Sequence, residues 1–143
     1  MKIAIGSDHG GYKTKEYIRE WLDSEALPYS DFGTFSDESV DFPVFAHLVC
    51  KSIESEECNI GILVCSTGQG MAITSNRYEN IRAALCWNKK IAEMSRRHNN
   101  ANVLVLPGLY ISEQESVEIL KDFLFAAFEG GRHQKRLNLI NQD

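Results

Sequence analysis

Cys65 stands at the end of an apolar run and at the head of a glycine loop, in Ile60-Gly61-Ile62-Leu63-Val64-Cys65-Ser66-Thr67-Gly68-Gln69-Gly70. The run is too short for a helix and rich in β-branched residues, so it reads as a buried strand. Met71 to Thr74 read as the first turns of a helix. A strand, a tight loop and a helix start gather backbone N–H groups around one point, with the positive end of the helix dipole behind them. That arrangement suits an anion, and a thiol beside it is expected to favour its thiolate. The same cysteine also fits a plainer role as a small buried hydrophobe, and local sequence leaves both open. For Cys50, Cys58 and Cys86 the packing role is the reading.

Several familiar chemistries fail at this loop. A C-x5-R phosphatase needs an arginine where Met71 stands, no lysine follows to make a P-loop, and Ile73 takes the place of the third glycine of a dinucleotide fingerprint. A smaller phosphorylated or polyhydroxylated ligand fits better. His9 lies between Asp8 and Gly10-Gly11 at another strand end, and His98 precedes Asn99 and Asn100 at a helix end. His47 and His133 receive no chemistry. No H-E-x-x-H or C-x-x-C spacing occurs, so no metal and no cofactor are expected. Arg132 and Arg136, four apart, share a face if the tail is helical and can then clamp a phosphate; a solvated basic tail is the alternative. Asp41 either caps a helix that begins at Pro43 or joins the site.

These groups need elements to hold them. Strands are expected over 2–6, 27–33 (the weakest), 60–64, 81–86 and 102–106, the last stopped by Pro107-Gly108. Helices are expected through Ile18, Trp21 and Leu22, then from Pro43 with an apolar face of Phe45, Leu48, Val49 and Ile53, and over 88–97. Ser112 and Glu115 form a capping box that opens a long helix. Val117, Leu120, Phe123, Leu124, Ala127 and Phe128 line it, and Gly130-Gly131 end it. Leu137 and Ile140 mark a short helical pattern in the tail. Strand–helix alternation implies an α/β fold with a doubly wound, mostly parallel, five-stranded sheet. Ligands of such sheets bind beyond the carboxyl ends of the strands, where Asp8, His9, Asp41 and Cys65 all fall.

The chain has 143 residues, 43% hydrophobic and 24% charged, the size of one domain (1–143) with a real core. A net charge of −5 argues against a general nucleic-acid binder. No apolar run reaches membrane-span length, and the N-terminal run is too short for a signal-peptide core. Four cysteines without paired spacing point to the cytoplasm and free thiols.

Taken together, the segments Gly6-Ser7-Asp8-His9-Gly10-Gly11, Asp41-Phe42-Pro43, Cys65 to Gly70, Asn80-Ile81-Arg82-Ala83-Ala84, Arg97 to Leu104 and Glu129 to Arg136 resemble ribose-5-phosphate isomerase type B. Its superfamily also contains galactose-6-phosphate isomerase subunits. The resemblance runs in family order over nearly the whole chain. It implies a Rossmann-like fold and a metal-independent isomerase. The implied reaction interconverts ribose 5-phosphate and ribulose 5-phosphate through an enediolate, in the non-oxidative pentose phosphate pathway. Cys65 matches the residue that moves the proton between C1 and C2, and His98 the histidine that helps open the furanose ring. Asp8, His9 and Asn99 match substrate contacts, and Ser66, Thr67, Gly68, Gln69 and Gly70 the loop around the enediolate oxygen. Arg132 and Arg136 match phosphate ligands on a tail that starts near 130; Asp41 matches an acidic residue near the ring oxygens. A homodimer or homotetramer with sites between subunits is implied. Two positions depart from the pattern: Leu109 where many relatives carry an arginine, and Phe42 where tyrosine is usual. The rival readings are an isomerase of allose or galactose 6-phosphate and a sugar-phosphate-binding protein without turnover.

Overall fold

The computed structural model describes residues 1–142 and contains five strands and six helices among them. The strands are β1 (Ile3–Ser7), β2 (Tyr29–Asp31), β3 (Ile60–Cys65), β4 (Ala83–Leu85) and β5 (Val103–Pro107). The helices are α1 (Tyr12–Ser24), α2 (Phe42–Glu54), α3 (Gln69–Ser75), α4 (Lys89–Asn99), α5 (Glu113–Phe125) and α6 (Arg132–Leu137). All pairings are parallel, in the order β2-β1-β3-β5-β4. β1, β3 and β5 are buried along their whole length, which is why they read as continuous apolar runs.

Alternate residues of these strands feed two cores. Ile3, Ile5, Ile62, Val64, Leu104 and Leu106 pack with α1, α4 and α5. Ala4, Leu63, Cys65, Val103 and Val105 pack with α2 and α3. The sheet is therefore the middle of three layers, an α/β Rossmann-like arrangement. The chain leaves β1 towards β2 on one side and reaches β3 on the other, so a crevice opens at the carboxyl ends of β1 and β3.

Several expected boundaries move. The weak strand shortens to Tyr29–Asp31, and the fourth to Ala83–Leu85 at the sheet edge. α4 runs on through His98 and Asn99 and stops at Asn100, which takes a left-handed conformation. α5 ends at Phe125, because Ala126 turns extended; Ala127 is exposed, and Gly130-Gly131 do not end the helix. On α2, Ala46, Val49 and Cys50 are buried while Leu48 is 40% exposed, so the buried stripe is rotated from the expected one.

Lys15 is fully buried although its neighbours in sequence give no hint of it. Its ammonium sits 2.7 Å from Asp31 and 2.9 Å from Glu16, and Arg19 adds a 3.2 Å contact to Asp31. Asp31 in turn accepts the Gly33 N–H, which ties the end of β2 to α1. Lys15→Ala leaves a largely buried carboxylate with Arg19 alone and is expected to cost about 3 kcal/mol. Urea unfolding at fixed protein concentration measures this; a loss below about 1 kcal/mol means that Arg19 suffices.

Candidate active site

Asp8 caps the short 3-10 turn His9–Gly11, its carboxylate accepting the Gly11 N–H at 3.0 Å. Gly11 is required by contact with backbone, whereas Gly10 faces only the Ser66 hydroxyl closely. A Cβ on Gly11 would lie 2.3 Å from the Val64 carbonyl oxygen, and one on Gly10 would lie 2.1 Å from Ser66 Oγ. The Asp8 loop thus rests directly on the end of β3. His9 points to solvent with Nδ1 3.2 Å from the Val40 backbone N and O, which brings the 37–41 loop beside it. Asp41 follows at the N-cap position of α2, but its side chain caps no N–H and stays exposed. The Phe42 ring lies against Gly70.

The Cys65 thiol accepts the Gly68 N–H at 3.1 Å. Gly68 has φ 77°, a conformation that suits glycine and bends the loop into α3. The β5–α5 connection closes the other side: Gly108 donates to the Cys65 carbonyl at 2.8 Å and Leu109 to the Ser66 carbonyl at 3.1 Å. Burial works against the expected thiolate. Burial pushes the thiol pKa up and the nearby Asp8 charge adds to this, while the Met71, Gly68 and Thr67 N–H groups pull the other way. The dipole of a helix of seven residues does not overcome desolvation here. Asp8 is itself raised, chiefly by burial. The same N–H groups that lower the thiol pKa are donors available to an oxyanion.

The second set lies elsewhere. α4 runs back from the carboxyl end of β4, so its last residues, His98 and Asn99, reach the start of β5. Val103 pairs with Gly61 and Pro107 with Cys65. His98 and Cys65 therefore belong to opposite edges of the sheet, about 13 Å apart along the strands alone. Asn99 lines a cavity of about 420 Å³ with Tyr78, Arg82, Leu137, Ile140 and Asn141, at that same far edge. Arg132 and Arg136 are exposed on α6, which packs on α4. One chain thus groups Asp8, His9, Asp41 and 65–70 at one edge, and His98, Asn99, Arg132 and Arg136 at the other.

Two residues given no chemical role from sequence join the second set. His133 is buried and its ring stacks on that of His98, centroids 4.3 Å apart and planes 9° apart. Glu129 Oε2 faces Nε2 of His133 at 3.4 Å and Nε2 of His98 at 3.7 Å. Glu129 and His133 are four residues apart, which is the signal that sequence offered. Their donor atoms and that of His98 all lie within 4.8 Å of one another, close enough to consider a cation. The fit is poor: the imidazole planes are parallel rather than convergent, and Arg97 already neutralises Glu129 at 2.7 Å. Burial and the neighbouring His98 lower the His133 pKa.

Residues 3–140 match the model of the family described as Ribose/Galactose Isomerase. The chain belongs to this family. A putative sugar phosphate isomerase of Rickettsia bellii is 44% identical over 135 residues, covering 94% of both chains. The crystal structure of a ribose 5-phosphate isomerase from Thermotoga maritima superposes with TM-score 0.97 at 46% identity, over 99% of this chain and 98% of that one. Ribose-5-phosphate isomerase B from Mycoplasma genitalium, solved with bound ribulose-5-phosphate, gives TM-score 0.92 at 39% identity over 97% and 93%. The ribose/galactose isomerase family thus accounts for the whole described fold, both edges of the sheet included.

Proposed function

We propose that this chain interconverts ribose 5-phosphate and ribulose 5-phosphate through a cis-enediolate. The observation that carries the reading is the near full-length likeness to an isomerase solved with ribulose-5-phosphate bound. His98 opens the furanose, which a cyclic aldose requires before its C2 proton becomes acidic. Cys65 as thiolate takes that proton and returns it to C1. The N–H groups of Thr67, Gly68 and Met71 hold the developing oxyanion. Asp8, His9, Asn99 and the rest of the 66–70 loop bind the sugar, with Asp41 beside its oxygens. Arg132 and Arg136 hold the far phosphate, so its binding energy orients carbons that it does not touch.

The site is built by two copies, Cys65 and its loop from one and His98, Asn99, Arg132 and Arg136 from the other. The separation of these sets by the sheet supports this. So does the apolar surface beside the Cys65 loop, where Phe42, Val44, Leu48 and Ile73 are between 37% and 59% exposed. Four free, buried cysteines suit a reducing compartment, and the reading assigns the enzyme to the cytoplasm.

Ribulose 5-phosphate formation from ribose 5-phosphate, measured in EDTA, is the test. Full turnover is expected, with specific activity falling on dilution through the subunit dissociation constant. Activity abolished by EDTA, or a fully active monomer, contradicts the corresponding part. Leu109 favours one second reading, a six-carbon sugar phosphate. Its N–H is bonded to the Ser66 carbonyl and its side chain is 70% exposed, so an apolar group stands beside the loop where many relatives carry an arginine. Turnover of allose or galactose 6-phosphate above that of the pentose establishes it.

A further inference from the structure

Glu129 has its two carboxylate oxygens divided between different partners. Oε1 takes Arg97, at 2.7 Å from Nε and 2.5 Å from Nη2, and Arg97 is braced from behind by Glu93 at 2.8 Å. The Glu129 N–H donates to the Arg97 carbonyl at 3.0 Å, which pins the loop to the end of α4. Oε2 is left to face the two imidazoles. His133 Nε2 is buried, makes no hydrogen bond and lies 3.4 Å from that oxygen, so the two imidazoles share it. The His133 ring covers one face of His98, and the half-exposed His98 keeps its other face and Nδ1 for a ligand.

We propose that Glu129 is a positioning residue for ring opening: it holds His98 through Nε2, against the His133 ring, so that Nδ1 is the nitrogen presented to the sugar. This rests on His98 being the ring-opening group. In that step the C1–O4 bond breaks as the O1–H electron pair becomes the C1 carbonyl. Nδ1 takes the O1 proton and delivers it to O4, so no proton is gained or lost overall. The transient imidazolium carries its second N–H at Nε2, directed at a carboxylate. At 3.7 Å the Glu129–His98 contact is an ion-pair distance, and a movement of about 0.8 Å makes it a charge-assisted hydrogen bond. Arg97, Arg132 and Arg136 are the cations around this pair, and Glu93 is the other acid. With Glu93 paired to Arg97, Glu129 is the one carboxylate aimed at the rings.

The two half-reactions separate cleanly in an experiment. Ribulose 5-phosphate is open-chain, since its O5 is esterified and cannot close a furanose. Deuterium wash-in at its C1 in D2O therefore needs Cys65 but no ring opening. Glu129→Gln is expected to lower ribose 5-phosphate turnover about 10–100-fold, by analogy with the loss of partners that orient metal-bound imidazoles. C1 wash-in stays within about twofold of the parent, which also shows that the variant is folded and assembled. Glu129→Asp recovers part of the loss. The 15N shifts of His98 report the Nε2–H tautomer in the parent and a mixture in Glu129→Gln. Equal loss of turnover and wash-in, or loss of neither, overturns the proposal. His98→Gln gives the separate control. Unchanged turnover in that variant overturns the ring-opening reading and the proposal with it. A split in His98→Gln that is absent from Glu129→Gln overturns the proposal alone.

Discussion

Cys65→Ala is expected to lower ribulose 5-phosphate formation by about three to four orders of magnitude while leaving the fold intact. Sγ sits where the N–H groups of Thr67, Gly68 and Met71 converge, and no second thiol can substitute. Cys50 is buried between α2 and α3 and shifted upward, and Cys86 is pushed up to about 11 by burial on the other face of the sheet. Removing one sulfur atom from a residue 5% exposed leaves room that the loop can close, so thermal unfolding should move little. Retained turnover means that the base is misassigned. The pH profile gives an independent check with a defined sign. On the proposed mechanism the base is the thiolate, and burial holds the Cys65 pKa above the ordinary thiol range. The thiolate fraction is then small at neutral pH and grows about tenfold per pH unit until the raised pKa is reached. kcat/KM of the parent should therefore still be rising through about pH 8.5, the ordinary thiol pKa. A plateau reached below pH 8 contradicts the burial argument.

Mixing two inactive variants should restore activity. Cys65→Ala and His98→Gln each damage every site of their own homodimer. A heterodimer of the two holds one site with both defects and one with neither, if each site takes Cys65 from one copy and His98 from the other. Random re-association makes about half the dimers mixed, so about a quarter of parental activity should return. The gain is then at least about a hundredfold over Cys65→Ala and at least about 25-fold over His98→Gln, read by denaturing, mixing and refolding, or by co-expression with two tags. Failure to gain, with mixed dimers demonstrated, means that both groups act within one chain. The route between them would then have to cross the sheet, which β3 and β5 fill with buried side chains.

The central strands were legible because β1, β3 and β5 are apolar on both faces, a pattern set by burial under helices on each side. The capping box at Ser112 and Glu115 was legible because both halves lie within four residues, and both hydrogen bonds are made. The end of α5 was not, since the apolar spacing continues to Phe128 after the backbone has turned extended at Ala126. Neither was the burial of Lys15, whose partner Asp31 is sixteen residues away and reached only once β2 pairs with β1. The Cys65 edge of the site could be grouped from strand ends alone. The His98 edge could not, because His133 and Glu129 meet His98 through the return of the tail onto α4 rather than through any strand end. How deeply the sulfur is buried was not legible, because a glycine loop announces donors but says nothing of what covers the thiol.

The placement of Cys65 and His98 at opposite edges of one sheet has a consequence for the living cell. If each site takes Cys65 from one copy and His98 from another, as proposed, a chain leaving the ribosome carries both halves of the machinery and can use neither until it meets its twin. At low copy number, catalytic output would then follow the square of expression rather than expression itself, and become linear once the pool is paired. In a cell carrying one intact gene and one with Cys65 lost, each site draws its thiol from a single parent. The defect then dilutes activity in proportion and does not poison the intact product.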